Sequence, residues 1–284
     1  MKDEKGQALP LALAALAVGV LLITPFLESV SVHSIASRTY RSSILQLYSS
    51  DAGVEDAIWA LTNGSLAAQL TAPGDSASHS VSESVNNIEP TITVTRYEVI
   101  IASDDFESGG WSGGSGWLDE WTHTGDATIK RTGSPYEGSY HLIMRDDNSY
   151  VKRAADLSGR SGLHLQFQAK VDRFELGDEM YCKLSPDSTN WTTVKTWTDT
   201  DDDDTYHLSD IDLSTYTMSS EFWIAFESGM DNNNDYFYVD DLRIVDTSSI
   251  GCEIVSTAGN EEICADIVID AGAVSIRAWQ MERQ

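Results

Sequence analysis

The chain opens with a long apolar run, and the polar segment that follows keeps a helical spacing. From Ala8 to Leu27 no side chain carries a formal charge, and about 20 such residues in a helix span the ~30 Å core of a bilayer. Beyond this run, apolar residues recur at helical intervals as far as Leu61. They are Ile44, Leu47, Tyr48, Val54, Ile58 and Leu61. The pattern predicts one helix of ~80 Å, bent at Pro25, with a lipid half and an amphipathic half.

The pattern then changes to the two-residue alternation of strands. Residues 91–99 alternate and predict a strand. After residue 102 the sequence is rich in aromatics, Asp, Gly, Ser and Thr, in short segments separated by turns, which predicts a β-sandwich or jelly roll. The candidate strands are 128–130, 140–145, 150–154, 163–171, 179–184, 192–196, 206–212, 221–227 and 236–244.

The C-terminal segment returns to hairpins. Residues 252–264 predict a hairpin around Ala258-Gly259-Asn260. With strand 91–99 this gives a small antiparallel sheet under the helix, and the β-domain is an insertion between its strands. The predicted fold class is α+β: a leader at 1–6, a helix at 7–62, a head sheet at 63–102 with 248–284, and an inserted jelly roll at 103–247.

Two stretches carry a resemblance to a known family. Lys5-Gly6-Gln7-Ala8-Leu9 before an apolar helix resembles the leader of type IV pilins, and residues 48–61 resemble the "YxAEAGxExAxxxL" segment of minor pilins of the PilX N-terminal type. The resemblance implies cleavage between Gly6 and Gln7 by a prepilin peptidase, a pilin-like head, and other pilin subunits as partners.

One position departs from that family. Major pilins carry Glu as the fifth mature residue, where this chain has Leu11. That Glu pairs with a neighbouring N-terminal amine during assembly, so its absence favours a minor or tip subunit. The alternative is an ordinary single-pass anchor that carries an extracellular domain.

A second resemblance concerns the inserted domain. Residues 104–111, Gly138-Ser139-Tyr140 and residues 235–244 resemble, in the same order, jelly rolls of the MAM-like and carbohydrate-binding-module-like types. The resemblance implies a structural Ca²⁺ where the first and last strands meet, since hard oxygen ligands suit this ion. The matching positions are Asp105, Glu107, Asp240, Asp241 and the backbone near Gly138. Alternatively, Asp240 and Asp241 simply face water.

Two further acidic stretches, 201–204 and 231–235, look like calcium loops, yet neither has EF-hand spacing. For each, a solvated turn is the simpler interpretation.

The tryptophans and cysteines allow structural and functional interpretations. Trp197 and Trp223 lie within strand patterns and are predicted in the core, whereas Trp117 and Trp121 lie in a Gly-rich region and are the candidate ligand platform. Cys252 and Cys264 flank the hairpin turn and are a disulfide candidate if the chain is exported. Cys182 is predicted to be a buried thiol.

Charge and motifs narrow the function. A net charge of −27 and a pI near 4.3 argue against nucleic acid, whose phosphates need Lys and Arg. The sequence lacks Gly-x-Ser-x-Gly, His-Glu-x-x-His and phosphate-loop motifs, so no enzyme is predicted. A glycoside-active enzyme is disfavoured because the sequence shows no catalytic constellation for it.

Two hypotheses therefore remain. In the first, the chain is a minor or tip type IV pilin-like protein that displays its β-sandwich for adhesion to a glycan or surface protein. It would be a single-pass membrane protein before assembly and part of an extracellular pilus afterwards. In the alternative, it is a membrane-anchored carbohydrate- or protein-binding module at the cell surface that never enters a pilus.

Overall fold

The N-terminal helix of the chain is continuous. The computed structural model describes residues 8–283, so the predicted cleavage point between Gly6 and Gln7 lies outside the described residues. Helix α1 spans Ala8–Asn63 and continues through Pro25. It is rich in Leu and Ala, which favour helices, and it ends where the Gly64 N–H donates to the Ala60 carbonyl at 3.1 Å. The prediction of a single long helix is confirmed.

The first half of α1 packs on nothing within the described chain. Leu9 and Leu21 are each 73% exposed and Phe26 is 68% exposed. Mean hydropathy reaches 2.3 in this helix, and by length and composition it is the one described helix able to cross a membrane. An apolar surface of this size is rarely left in water, so it calls for lipid or other protein around it.

The chain divides into two compact units. The first contains the described residues of Met1–Arg96, Cys252–Ile267 and Ile276–Gln284, and the second contains Tyr97–Gly251 and Val268–Ser275. We call them the helical unit and the sandwich unit. The domain bounds expected from the sequence remain a prediction.

In the helical unit, the second half of α1 packs on strands. Val54, Ala57 and Leu61 form one buried stripe at helical spacing. The Ser50 hydroxyl beside them donates to the carbonyl of Glu261 at 3.0 Å. This unit contains β1 (Ser76–His79), the first part of β2 (Thr91–Asp104), the last part of β10 (Tyr236–Ala258), and most of β11 (Glu261–Asp270) and β12 (Ala273–Arg283). Strand β1 runs antiparallel to β2 with Ser76 opposite Thr95.

The sandwich unit is built on two strands, β4 (His141–Ala155) and the first part of β10. The start of β4 pairs with β10, which also pairs with β5. The end of β4 pairs with β9, which in turn pairs with β6. The remaining strands lie on the edges of these two groups. The bounds not yet given are β3 (Thr122–Lys130), β5 (Leu163–Asp172), β6 (Glu179–Ser185), β7 (Thr192–Thr198), β8 (His207–Asp212) and β9 (Phe222–Ser228).

One core holds the two strand groups together. The rings of Phe167 on β5 and Phe226 on β9 meet edge to face with centroids 5.1 Å apart, and Phe237 on β10 lies 4.7 Å from Trp197 on β7. All four side chains are buried. The chain is therefore α+β with a β-sandwich, and Trp197 is in the core as predicted.

One strand prediction is corrected. Segments 140–145 and 150–154 were predicted as separate strands, but both belong to the single strand β4. Asp146 and Asn148 adopt positive φ values of 63° and 57°, and the register with β3 shifts at the same place. The polar residues that indicated a turn therefore form a bulge inside a continuous strand.

The disulfide candidate is also corrected. All three cysteines are free thiols, and Cys182 is buried as predicted. Cys252 lies on the buried face of β10, in phase with Ile254 and Ser256, whereas Cys264 on β11 lies between the buried residues Ile263 and Ala265 and therefore faces the other way. Because successive strand residues face opposite sides, Cys252 and Cys264 do not meet across the hairpin.

The packing of α1 on the strands predicts a sensitive position at Gly53. A Cβ there would lie 2.3 Å from Ser256 Oγ and 3.2 Å from Ile92 Cδ1. We expect Gly53→Ala to lower the free energy of unfolding by roughly 1–3 kcal/mol through overpacking, measured by chemical denaturation. Combining it with Ser256→Ala, which removes the closest atom, should restore part of the loss.

Gly19→Ala is the matched control, since no atom lies within 4 Å of a Cβ at that helix position. If Gly53→Ala were as stable as Gly19→Ala, the close packing of α1 on the strands would be contradicted.

Candidate functional site

Two of the predicted metal residues meet in one turn. The backbone N–H groups of Ser139 and Tyr140 donate to Glu107 Oε1 at 2.7 and 2.6 Å. Gly138 has a φ of +61°, and a Cβ there would lie 2.4 Å from the Glu107 carboxyl carbon. Glycine fits at this position because the Glu107 carboxylate fills the space beside it.

The other predicted metal residues lie around the same turn. Asp240 is fully buried, and its Oδ2 accepts from the Tyr136 N–H at 2.9 Å. Burial raises the pKa of this carboxyl to about 7. Asp105 and Asp241 line a neighbouring pocket, where Asp241 Oδ2 lies 3.9 Å from Arg243 Nη2.

The structure thus gathers Asp105, Glu107, Gly138, Asp240 and Asp241 around one turn, with backbone N–H groups at two of the carboxylates. Among the described residues, three different carboxylates, Asp178, Asp231 and Asp235, each have one oxygen within 4.8 Å of the others. Calcium at the first set remains a prediction.

The predicted tryptophan platform is wrong for Trp121. Its side chain is only 2% exposed, and its indole N–H donates to Asp104 Oδ2 at 2.9 Å. Trp117 packs against the same core and donates to the Ser103 carbonyl. The buried guanidinium of Arg153 lies 5.2 Å from the Trp117 ring and pairs with Asp104 at 2.7 Å. Trp121 therefore lies beside a buried ion pair and presents no stacking surface. Trp117 is only partly buried, so its role as a ligand platform remains a prediction.

The core prediction for Trp223 is also wrong. Its neighbours Phe222 and Ile224 on β9 are fully buried, whereas Trp223 is only half-buried. Alternation along the strand therefore turns Trp223 outwards, where Lys152 Nζ lies 4.8 Å from its ring. Trp191 and Tyr150 lie close by, with their ring centroids 6.3 Å apart.

A polar pocket lies on the outward side of β5 and β10. Polar residues alternate with core residues there: Gln168, Lys170 and Asp172 on β5, and Tyr236, Tyr238 and Asp240 on β10. The Gly133 and Asp204 loops border a cavity of about 420 Å³ over them. We call this cavity the tyrosine pocket; it is lined by Gly133, Ser134, Lys170, Asp172, Asp204, Thr205, Tyr206 and Tyr238.

Lys170 organises the tyrosine pocket. It is 5% exposed, and its ammonium group lies 2.8 Å from Asp204 Oδ1 and 2.7 Å from the Gly133 carbonyl. The same ammonium lies 4.4 Å from the ring centre of Tyr238 and 5.3 Å from that of Tyr206, within cation–π range. One buried cation therefore links both bordering loops to the sheet.

A buried histidine, His141, contacts both tyrosines of the pocket. His141 stacks on Tyr238 with centroids 4.9 Å apart, its Nδ1 is hydrogen-bonded to the Tyr206 hydroxyl, and its Nε2 lies 2.6 Å from the Thr132 carbonyl. Because both ring nitrogens have partners, His141 fixes the position of Tyr206 at the pocket wall.

Burial shifts the ionisation of these groups towards their neutral forms. Desolvation raises the pKa values of Tyr206 and Tyr238 and lowers the pKa of His141. Desolvation, followed by the charge of Asp204, raises the pKa of Asp172. Perturbed groups that share one cavity are typical of a binding site.

The tyrosine pocket is not among the sites predicted from the sequence, although some of its residues lie in the segment that resembles jelly rolls. The Tyr-x-Tyr-x-Asp alternation of residues 236–240 was interpreted as a family feature. The usable signal was polar alternation in a strand whose other face is apolar. Lys170, His141 and Tyr206 come from three separate segments, so only the fold brings them together.

The chain is similar to known structures over only part of its length. No protein-family model matches the chain, and no curated protein matches it. Among solved structures, it is similar to the module TmCBM61 in complex with β-1,4-galactotriose, at 16% identity over 49% of this chain and 92% of that one, with a TM-score of 0.36.

Two further structures are similar to a comparable extent. The CBM22-1 xylan-binding domain of Xyn10C from Paenibacillus barcinonensis shares 15% identity over 52% of this chain and 96% of that one, with a TM-score of 0.36. The K2 cleaved adhesin domain of Lys-gingipain shares 17% identity over 50% and 97%, with a TM-score of 0.37. At this level the similarity supports no inference about a ligand.

Proposed function

We propose that this chain is a membrane-anchored surface protein that binds carbohydrate in the tyrosine pocket of its sandwich unit. The observation that carries the proposal is the pocket itself, a concave site that combines aromatic walls with charged side chains of both signs. The role assigned to the chain is binding rather than catalysis.

The chemistry of the pocket suits a neutral, hydroxyl-rich ligand. A sugar offers C–H groups that pack on aromatic rings and hydroxyls that both donate and accept hydrogen bonds. Tyr206 supplies a ring, while Asp172 and Asp204 supply acceptors. Lys170 already pairs with Asp204, so the site does not require a charged ligand to balance it. Sites of this type orient ligands with a few fixed polar groups.

The exposed half of α1 supports display from a membrane. Its apolar residues need lipid or other protein around them, and the second half of the same helix packs on the strands of the helical unit. An acidic chain with a charge of −27 suits solubility outside a membrane.

Removing the pocket wall should weaken carbohydrate binding. For a soluble neutral polysaccharide that the wild type binds, we expect Tyr206→Ala to weaken the affinity at least tenfold, or about 1.4 kcal/mol. The reason is that the ligand loses an aromatic contact. The measurement is affinity gel electrophoresis of the detergent-solubilised chain against a panel of such polysaccharides.

Tyr150→Ala is the matched control. Tyr150 is a half-buried tyrosine of β4 that lies beside Trp191 and outside the tyrosine pocket. It should leave affinity unchanged. Loss of binding in Tyr150→Ala with full binding in Tyr206→Ala would move the site to the Trp191 face, and no binding to any polysaccharide would contradict the proposed ligand class.

Assembly into a filament is a second candidate function. The observation that favours it is that α1 runs without interruption from its exposed apolar half into the half that packs on the strands. In a filament of the type IV pilus kind, neighbouring helices would cover the apolar half after it leaves the membrane. The Gly6-Gln7 pair at the predicted cleavage point and Leu11 as the fifth mature residue fit a minor or tip subunit in this proposal.

The mature N-terminus separates the two candidates. Processing by a prepilin peptidase should leave Gln7 as the first residue, detected by mass spectrometry of the chain from its native membrane, and Gly6→Asp should block this cleavage. A mature chain that still begins at Met1 would contradict the filament candidate and leave the plain anchor.

A further inference from the structure

Three carboxylates from two loops of the sandwich unit converge. Asp178 lies just before β6, and Asp231 and Asp235 lie in the loop between β9 and β10. One oxygen of each lies within 4.8 Å of the others. We propose that this cluster is a divalent-cation site that takes Ca²⁺ and ties the two loops together.

A buried oxygen without a partner belongs to the same cluster. Asp235 is 1% exposed, and its Oδ2 has no hydrogen-bond partner among the described residues. The backbone N–H of Asn232 near this carboxyl lowers its pKa, against the larger effect of burial. Leaving a buried charged oxygen unsatisfied is costly, and a cation between the carboxylates would satisfy it.

The surroundings of Asp235 are acidic. Burial and then the charge of Asp178 raise the pKa of Asp235 to about 6, with Asp231 and Glu175 acting in the same direction. Like charges at this spacing repel one another. A bound cation offsets this repulsion.

The two loops are already positioned for an ion. The Asp231 N–H donates to Asp178 Oδ1 at 3.1 Å, and the Glu175 N–H donates to Asp178 Oδ2 at 2.6 Å. Asn232 Nδ2 donates to Asp231 Oδ1 at 3.0 Å. These bonds orient two of the three carboxylates, so little reordering is needed on binding.

Calcium suits the donor set better than the alternatives. All three side chains offer hard oxygen ligands, and oxygens no more than 4.8 Å apart can share one ion at Ca–O distances of roughly 2.4 Å. Asp231 is exposed, which leaves room for the water ligands that complete six to eight positions. The site is separate from the one expected at Asp105, Glu107, Asp240 and Asp241.

The test is calorimetric titration of the full chain in detergent, stripped with chelator and titrated with CaCl₂. We expect Asp235→Asn to abolish a binding event of the wild type and Asp231→Asn to weaken it at least tenfold. In chelator, Asp235→Asn should melt no lower than the wild type, because repulsion is relieved. Calcium should raise the melting temperature of the wild type but not that of Asp235→Asn.

Two controls keep the assignment specific. Asp202→Asn, in the other exposed acidic loop, should bind Ca²⁺ like the wild type. Asp241→Asn, at the separate predicted site, should keep the binding event that Asp235→Asn abolishes. The proposal is overturned if the wild type binds no Ca²⁺, if Asp231→Asn and Asp235→Asn bind it normally, or if Asp241→Asn alone loses it. Should Asp235→Asn fail to fold, exposed Asp231 decides the outcome.

Discussion

The structure depends on one helix that has to satisfy two solvents. The first half of α1 exposes apolar side chains along its whole length, and the second half buries a stripe of small and apolar residues against strands. Water is a poor environment for the first half, whereas the second half is stable only against its own sheet. In both proposals, lipid or neighbouring helices cover the apolar half of α1. Because the helix is unbroken, the rest of the helical unit is then held at the edge of the lipid or of the helix bundle. Both proposed functions follow from this coupling.

Within the sandwich unit, several buried ionisable side chains lie on the outward side of their strands, where loops cover them. Lys170, His141 and Asp240 are almost fully buried although they lie on the outward side of their strands, because loops fold over them. Each has partners: Lys170 has Asp204 and two rings, and Asp240 accepts backbone N–H groups. Among the buried carboxylates of the described residues, Asp235 differs, because one of its oxygens is unpaired. The contrast separates residues that the protein satisfies by itself from a residue whose surroundings call for a ligand.

How far the sequence predicts this structure depends on whether a feature is local. Helical spacing up to Leu61 predicts α1, and two-residue alternation predicts most strands, since both signals lie within one segment. The bulge at Asp146 imitates a turn because its polar residues suit either structure. The predictions for Cys264 and Trp223 placed their side chains on the wrong face of the strand. Which face a residue occupies depends on the register of its strand with its neighbours, and a single segment does not show that register. The tyrosine pocket joins residues far apart in the chain. The proposed cation site adds Asp178 to the acidic stretch 231–235, and that stretch alone does not reveal the third carboxylate.

The central claim, that α1 is one rigid element across both environments, is tested most directly by a distance along it. Spin labels at Thr24→Cys and Glu55→Cys, both exposed positions of α1, would be placed in a Cys264→Ser background and reconstituted in bilayers. A helix unbroken over these 31 residues predicts a narrow distribution near ~46 Å by pulsed electron paramagnetic resonance. A broad distribution, or a mean well below that value, would show that the anchor and the packed half are separate segments.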